Sequence, residues 1–193
     1  YADGGNGRGN YAVLNPLTTQ LDLLGVATLS SANLQATSGG SNARLCIGNI
    51  FITSGKWYAE CTLTTSFSDY IGIASQTNAN STASGTGAYS YTSGGNKVSN
   101  GSSSSYGATY TSGDVIGVAY DADAGTLVFY KNGSSQGTAY SGIDVSVPRT
   151  FASFNGGTGT YVHNWNFGQR PFAYTPPTGF KALNTQNLPD ATI

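Results

Sequence analysis

The sequence has few charged residues, and it contains no long apolar run. Only 9% of its 193 residues are charged, whereas roughly 25% are charged in an ordinary soluble protein. The eight Lys and Arg residues are scattered along the chain. A protein that follows a phosphate backbone needs clustered cations, so we expect no nucleic-acid partner. No stretch approaches the ~20 apolar residues of a membrane-spanning helix, and we expect no membrane insertion.

Methionine is absent as well, including from position 1. Because translation ordinarily begins with methionine, we expect the chain to be part of a longer protein. The first ten residues and the last seven, YADGGNGRGN and NLPDATI, have the composition of linkers. These stretches lead us to expect one domain between neighbouring modules.

Cysteine is limited to Cys46 and Cys61. We predict that they lie on neighbouring strands, and a hairpin that turns at Thr53 and Ser54 would place them opposite one another. A cross-strand disulfide requires demanding geometry, so we favour two small buried thiols. Their spacing is not that of a zinc site.

The stretch DADAGTLVFYKNG, residues 121–133, allows two interpretations. Asp121, Asp123 and Gly125 resemble the start of a calcium loop, but such a loop needs six to eight oxygen ligands and usually a Glu near its end. The only glutamate, Glu60, is far away in sequence. We therefore predict a turn, a strand and the hairpin turn Asn132-Gly133, with no metal site.

Residues with catalytic chemistry are also scarce. The single histidine, His163, shares a strand face with Tyr161 and Trp165, which favours packing over a nucleophilic triad. Glycoside hydrolysis needs two carboxylates ~5–10 Å apart, and no motif marks such a pair. We predict no catalytic residues, no cofactor and no enzymatic activity, with a sugar-processing enzyme as the weakest alternative.

The residues that are abundant predict an all-β protein. Gly, Ser, Thr and Asn are frequent, together with 13 Tyr, 8 Phe and 2 Trp, a composition typical of short strands joined by polar turns. In GKWYAECTL, residues 55–63, apolar side chains alternate with polar ones, which indicates a half-buried strand. ATLSSANLQATS predicts a hairpin, and only residues 17–25 fit a short helix. We predict a two-sheet antiparallel β-sandwich.

Tyrosines in a long polar region are the best candidates for a binding site. The region spans residues 76–112, and a pure Gly/Ser linker would have no reason to carry aromatic residues. Tyrosine rings stack on sugars and give rigid contact area in protein interfaces. The alternative is that they only cover the sandwich. The candidate ligand-binding residues are Tyr89, Tyr91, Tyr106 and Tyr110.

The order of several motifs resembles that of the SPRY domain. These motifs are GKWYAECTL, YIGIAS, GDVIGVAYDADAGTLVFYKNG and NFGQRPF. The resemblance covers residues 28–172 and implies a bent sandwich of two antiparallel sheets, related to concanavalin-like jelly rolls. It leaves residues 1–27 as a lead-in and residues 173–193 as a proline-rich linker toward a further module. It also implies a non-enzymatic binding module.

The flanking segments NYAVLNPL and PPTGFKALNTQNLP are similar to those around SPRY modules of phage structural proteins. This similarity implies a virion location, in a tail fibre or other surface appendage, with a role in host-surface recognition. The expected partners are a host-surface glycan or receptor protein and other virion proteins, with a trimeric parent chain. The alternative is an architectural spacer or capsid-decoration domain that contacts only virion proteins.

Overall fold

A computed structural model of the chain describes residues 9–17, 27–38, 44–66, 68–76, 87–155 and 159–188. Fourteen strands lie in these residues, and they contain no α-helix. Nor does this part of the chain provide a helix of the length and apolarity needed to cross a membrane. The candidate helix at 17–25 lies outside the described residues except for Leu17.

The strands form two stacked sheets. In chain order they are β1 (Thr28–Ser30), β2 (Gln35–Ser38), β3 (Arg44–Ile47), β4 (Lys56–Thr65), β5 (Asp69–Ser75), β6 (Ala88–Thr92), β7 (Asn96–Ser99), β8 (Ser102–Ser105), β9 (Val115–Asp121), β10 (Thr126–Lys131), β11 (Ser134–Tyr140), β12 (Arg149–Asn155), β13 (Tyr161–Asn166) and β14 (Lys181–Ala182). The larger sheet has the order β1-β2-β13-β4-β9-β10-β11, with β14 beside β4. The smaller sheet has the order β3-β12-β5-β6-β7-β8. The predicted two-sheet sandwich is confirmed, and β14 alone pairs in parallel, with β4.

The predicted turns are also present. Asp121 accepts hydrogen bonds from the backbone N–H groups of Asp123 (3.1 Å) and Ala124 (2.9 Å), which caps the turn between β9 and β10. Asn132 and Gly133 have φ values of 47° and 79° in the turn between β10 and β11. Both values suit a type I′ turn, as the dipeptide predicts. β1 and β2 form the predicted hairpin.

The two cysteines do not lie on paired strands. β3, which carries Cys46, pairs with β12 of the smaller sheet, and Cys61 lies on β4 of the larger sheet. The predicted hairpin register is wrong because residues 48–55 carry the chain from one sheet to the other, with Ile52 still bridged to β12. The predicted buried thiols are confirmed, and the two cysteines form no disulfide. Burial raises the pKa of the Cys61 thiol, and the nearby charge of Asp69 adds to the rise.

Both faces of β4 are buried over residues 57–61. Its inner face carries the predicted core residues Trp57, Ala59, Cys61 and Leu63, and they pack between the sheets. On its outer face Tyr58 and Glu60 are buried too, at 1% and 2% exposure. The alternation in the sequence predicts a strand with only one buried face. Because the outer face is also buried here, a second layer must cover it.

That layer is the C-terminal segment 171–188, which we call the strap. The Glu60 carboxylate accepts hydrogen bonds from the backbone N–H groups of Ala173 (2.8 Å) and Tyr174 (3.0 Å). The ring of Phe172 packs edge-on against Tyr58, with centroids 5.0 Å apart. Residues 173–188 of the predicted linker therefore pack on the sheet as part of the strap, through a buried carboxylate that sequence periodicity does not reveal. The domain boundaries stay a prediction.

The N-terminal segment is also part of the domain. Tyr11 forms an antiparallel bridge with Asn184, and the backbone N–H of Ala12 donates to Leu183 at 2.9 Å. Ala12 and Leu14 are fully buried. Residues 11–14 therefore belong to the core, although the predicted boundary places them in the lead-in.

Replacing Glu60 with Gln should loosen the strap. The substitution removes the charge to which two N–H groups of the strap donate, and a hydrogen bond to a charged group contributes about 1.5–3 kcal/mol. We expect the free energy of unfolding in urea to fall by about that amount and limited proteolysis to begin within residues 171–188. In the control Asp123→Asn, an exposed carboxylate that accepts from Gly55, we expect a change below about 1 kcal/mol. A Glu60→Gln protein with unchanged stability and a protected strap would show that the carboxylate does not hold it.

Candidate functional site

The four candidate tyrosines lie near one another, but only two of them reach the surface. Tyr89 and Tyr106 are partly exposed, whereas Tyr91 and Tyr110 are buried at 0% and 4% exposure. Tyr89 and Tyr91 share the inner face of β6, and Tyr91 lies deeper between the sheets because it is packed against Phe129 of β10. The connection between β8 and β9 then folds back and inserts Tyr110 beside it.

Tyr91 and Tyr110 support the site from below. The Tyr110 hydroxyl donates to the backbone carbonyl of Tyr91 at 2.8 Å, and the Tyr91 hydroxyl donates to the carbonyl of Ala108. The ring centroids of the two tyrosines are 4.9 Å apart. Burial leaves neither ring a face for a ligand, so we retain only Tyr89 and Tyr106 as surface candidates. Ligand contact by these two stays a prediction.

A second pair of residues joins them on the surface. Tyr140, at the end of β11, packs edge-on against Tyr89 with centroids 5.1 Å apart, and the Lys97 ammonium lies 5.5 Å from the Tyr140 ring centre. All of these side chains are partly exposed. We call Tyr89, Tyr106, Tyr140 and Lys97 the tyrosine rim. The rim lies where β6 and β7 of the smaller sheet meet β11 of the larger sheet.

Hydrogen bonds to backbone carbonyls fix the orientation of the rim. Tyr140 donates to Ser90 (3.0 Å), Tyr106 donates to Gly137 (2.5 Å) and the Lys97 ammonium donates to Ala139 (2.7 Å). The bonds of Tyr140 and Lys97 cross from one sheet to the other, and the bond of Tyr106 joins the β8–β9 connection to the larger sheet. The side chains are therefore already ordered before any partner arrives, and the same bonds close the side of the sandwich.

A buried arginine completes the rim from the inside. The Arg149 guanidinium lies 5.3 Å from the Tyr89 ring centre, at 3% exposure. Its Nη1 donates to the carbonyls of Asp144 and Val147, whereas Nε has no hydrogen-bond partner. Lys97, Tyr140, Tyr89 and Arg149 therefore form a row in which two rings lie between two cations. Cation–π contacts of this kind contribute ~0.5–2 kcal/mol each.

Asp69 anchors the buried tyrosines Tyr91 and Tyr110 at the end opposite the rim. Its carboxylate contacts His163 Nε2 at 2.8 Å and accepts a hydrogen bond from the Ser66 hydroxyl. Its backbone carbonyl accepts from Ser93 N–H at 2.9 Å and from the Tyr110 hydroxyl at 3.2 Å. His163 is fully buried and stacks on Tyr161 with centroids 4.3 Å apart. Asp69 therefore connects both sheets to the loop that supports the rim.

Every carboxylate in the described residues accepts a hydrogen bond within the domain. Asp69 and Glu60 are buried and are bonded as described above. The other four acids accept from turn N–H groups: Asp114 from Thr111, Asp121 from Ala124, Asp123 from Gly55 and Asp144 from Ser146. In the same residues no group of three or more His, Cys, Asp or Glu side chains could hold a metal ion.

A polar cleft of about 380 Å³ lies on the strap side of the domain. Its lining residues are Gly55, Lys56, Trp57, Lys181, Gln186, Asn187 and Leu188. Lys56 pairs with Asp121 at 3.0 Å, and the Trp57 indole donates to Ser54 at 2.6 Å. The lining offers no carboxylate, thiol or imidazole that could act on a substrate.

Sequence reasoning missed half of the rim. Tyr140 and Lys97 are about 40 residues apart in sequence and lie in different sheets. Tyr140 follows the Asn132-Gly133 hairpin, so pairing that hairpin correctly would place it at a sheet edge. Its contact with Tyr89 depends on how the sheets stack, which period-two patterns do not encode.

The described fold is an antiparallel sandwich with a surface rim of ordered tyrosines. The family model of the SPRY domain matches residues 56–167. The chain belongs to the SPRY domain family. SPRY domains typically mediate protein–protein interactions.

Three known proteins give the context of this assignment. The E3 ubiquitin-protein ligase RKP of Arabidopsis thaliana is 34% identical over 148 residues, which are 70% of this chain and 11% of that protein. The chain therefore spans about a tenth of this relative's length. The crystal structure of the SPRY domain of human HERC1 superposes with a TM-score of 0.71 at 17% identity, over 82% of this chain and 99% of that one. The stonustoxin structure gives a TM-score of 0.61 at 18% identity, over 81% and 27%.

The tyrosines make stability sensitive to alkaline pH. Burial raises the pKa of Tyr91 and of Tyr106 to about 12, whereas an unfolded tyrosine loses its proton near pH ~10. Between these values the unfolded chain binds fewer protons than the folded one, so stability falls as pH rises from about 10 to about 12. We expect the urea midpoint to fall over this interval, and less steeply in Tyr106→Phe. An equally steep fall in that variant would contradict the assignment.

Replacing Asp69 with Ala should be among the most destabilising single substitutions. It leaves the buried His163 and the partly buried Ser66 without their partner, and a buried polar group left unsatisfied costs about 1–3 kcal/mol. We expect a loss of about that size in urea unfolding. The control Asp144→Ala, at an exposed turn, should lose less than about 1 kcal/mol. A loss below about 1 kcal/mol for Asp69→Ala would show that Asp69 is not the anchor.

Proposed function

We propose that the chain is a non-enzymatic binding module and that its tyrosine rim contacts a protein partner. The observation that carries the proposal is the rim itself, three partly exposed tyrosines and a lysine held at one edge of the sandwich. Tyrosine side chains are enriched where protein interfaces gain most of their affinity.

The order of the rim supports this role. Because backbone carbonyls already hold Tyr106, Tyr140 and Lys97, binding loses little side-chain entropy. The Lys97 ammonium has three N–H donors, and its bond to Ala139 uses one of them. A partner that brings carbonyl or carboxylate oxygens would suit the donors of the rim.

The polar groups of the domain support the absence of catalysis. Each described carboxylate is engaged in a turn, in the strap or in the core, so none is positioned as a general acid or base toward a cleft. General acid–base catalysis requires a group within hydrogen-bond reach of the reacting atom. His163, the only histidine, is fully buried against Asp69.

The setting that we propose is a phage virion, in a tail fibre or surface appendage that recognises the host. Its support is the resemblance of NYAVLNPL and PPTGFKALNTQNLP to segments around phage SPRY modules. The named similar proteins are instead an Arabidopsis ligase, human HERC1 and stonustoxin, so the virion setting rests on the flanking segments alone. The partner would be a host receptor protein or a surface glycan, since rings, amides and cations suit both.

Repetition would strengthen a weak rim contact. A trimeric fibre presents three rims, and linked binding events raise the apparent affinity 10²–10⁴-fold without new contacts. The alternative, an architectural domain that touches only virion proteins, uses the same surface against a neighbouring chain. Binding data distinguish the two.

The test measures binding of the chain, as monomer and as a trimerised fusion, to arrays of bacterial surface glycans and bacterial outer-surface proteins. We expect saturable binding that falls about tenfold or more in Tyr89→Ala and in Lys97→Ala, since a central interface residue contributes ~1.4 kcal/mol or more. Tyr130→Ala is the matched control, because this partly exposed tyrosine lies on the outer face of β10.

Each outcome of this test has a definite meaning. Binding that survives both rim substitutions in folded variants would remove the rim from the proposal. Binding by neither monomer nor trimer would argue against host recognition and favour the architectural alternative.

A further inference from the structure

Strand β8, Ser102–Ser105, consists of four serines and is exposed along its whole length. It ends the smaller sheet and pairs only with β7 among the described residues. In the neighbouring strand β7, the Lys97 ammonium donates to the carbonyl of Ala139 on β11 of the larger sheet. β8 therefore lies beyond the edge of the sandwich and is exposed on both faces. Four exposed serines gain no burial from this position, and only the backbone pairing with β7 holds them.

The other sheet edges of the described structure are each protected. β1 has only three residues, and β3 is flanked by residues 13–15 of the N-terminal segment, with the N–H of Asn15 donating to Ile47 at 2.8 Å. β11 has two register irregularities, and Tyr106 and Lys97 occupy two of its carbonyls. Natural sheets protect edges by shortness, bulges, charge or cover.

Apart from its short length, β8 has none of these protections. Its register with β7 has no shift, and it carries no lysine, no proline and no other charge. Short length is its only limit, and at about 3.3 Å per residue it offers an edge of roughly 13 Å. β8 is therefore the regular, open edge of the described domain.

The hairpin register shows which backbone groups point outward. Asn100 and Gly101 form a two-residue turn with φ values of 49° and 75°, so the flanking pair Ser99–Ser102 is hydrogen-bonded. Hydrogen-bonded and non-hydrogen-bonded pairs then alternate along the hairpin. The N–H of Tyr106 donates to Gly95 at 3.0 Å, which agrees with this alternation. The N–H and C=O groups of Ser103 and Ser105 therefore face away from β7.

We propose that an extended segment of a protein partner pairs with β8 and extends the smaller sheet by one strand. The proposal rests on the proposed binding function and names the mode of contact. Backbone hydrogen bonds to Ser103 and Ser105 supply affinity in such strand addition, and alternate side chains supply specificity. The partner residue opposite Ser104 shares a face with Lys97, its pair on β7, and so lies beside the tyrosine rim.

The edge favours a different protein over a second copy of this chain. Two β8 strands paired with each other would bring together eight serines and almost no apolar area, far below the ~1,200 Å² that a stable interface buries. A partner whose segment continues onto the rim gains aromatic contact area as well. The segment that fits is extended, at least four residues long and free of proline where it faces Ser103 and Ser105.

The probe is a displayed library of random twelve-residue peptides selected against the whole chain. The selected peptides are measured against the parent chain, Ser103→Pro and Ser103→Ala. Proline removes the outward N–H without touching the β7 pairing, whereas alanine keeps the N–H and is the matched control. We expect at least tenfold weaker binding to Ser103→Pro and a change below about twofold for Ser103→Ala.

Amide hydrogen exchange of the unsubstituted chain provides a second measurement that does not depend on how the proline variant folds. A saturating peptide should slow exchange at Ser103 and Ser105 at least tenfold. No such change should occur at Ser102 and Ser104, which already pair with β7.

Three other results would overturn the inference, and they separate it from the proposed function. In the first, peptides bind Lys97→Ala more weakly than the parent chain and yet leave amide exchange at Ser103 unchanged. That result would support the rim as the binding surface and exclude the β8 edge. A library that yields no binder counts against both. A concentration-dependent dimer in analytical ultracentrifugation that Ser103→Pro abolishes would assign the edge to self-association.

Discussion

Asp69 is the residue on which the arrangement of the rim depends. Its carboxylate joins His163 of the larger sheet to Ser66, and its backbone carbonyl holds Ser93 and Tyr110. Tyr110 in turn supports Tyr91, and the Tyr91 ring supports Tyr106, with centroids 5.2 Å apart. A buried acid more than 35 residues before Tyr106 in the sequence thus determines where an exposed ring lies.

Because few residues of the chain are charged, hydrogen bonds between its layers matter more for the fold than ion pairs do. Few ion pairs exist in the described residues, and the Lys56–Asp121 and Lys131–Asp114 pairs lie at turns near the surface. Surface pairs of this kind contribute only ~0–1 kcal/mol each. The strap and the rim are instead held by hydrogen bonds between side chains and backbone groups, as Glu60, Tyr140 and Lys97 show. These bonds are individually modest but cross between layers.

Local sequence signals predicted the fold correctly where the structure is local. The Asn132-Gly133 turn, the Asp121 cap and the inner face of β4 follow from turn chemistry and period-two alternation. Contacts between layers escaped prediction. Cys46 and Cys61 face the core from different sheets, and the strap covers Tyr58, because both depend on long connections whose course no local pattern encodes. For the same reason the sequence indicated Tyr89 as a candidate binding residue and did not indicate Tyr140.

The paired segments at the two ends of the domain determine how it would respond to mechanical load. Antiparallel contacts run from Asn10 and Thr185 through Tyr11 and Asn184 to Ala12 and Leu183, so the first and last described segments lie side by side. A force that pulls these segments apart breaks their contacts one after another, and not all at once. Residues 9–12 and the end of the strap therefore yield first, at low force, while the sheets that carry the rim stay intact.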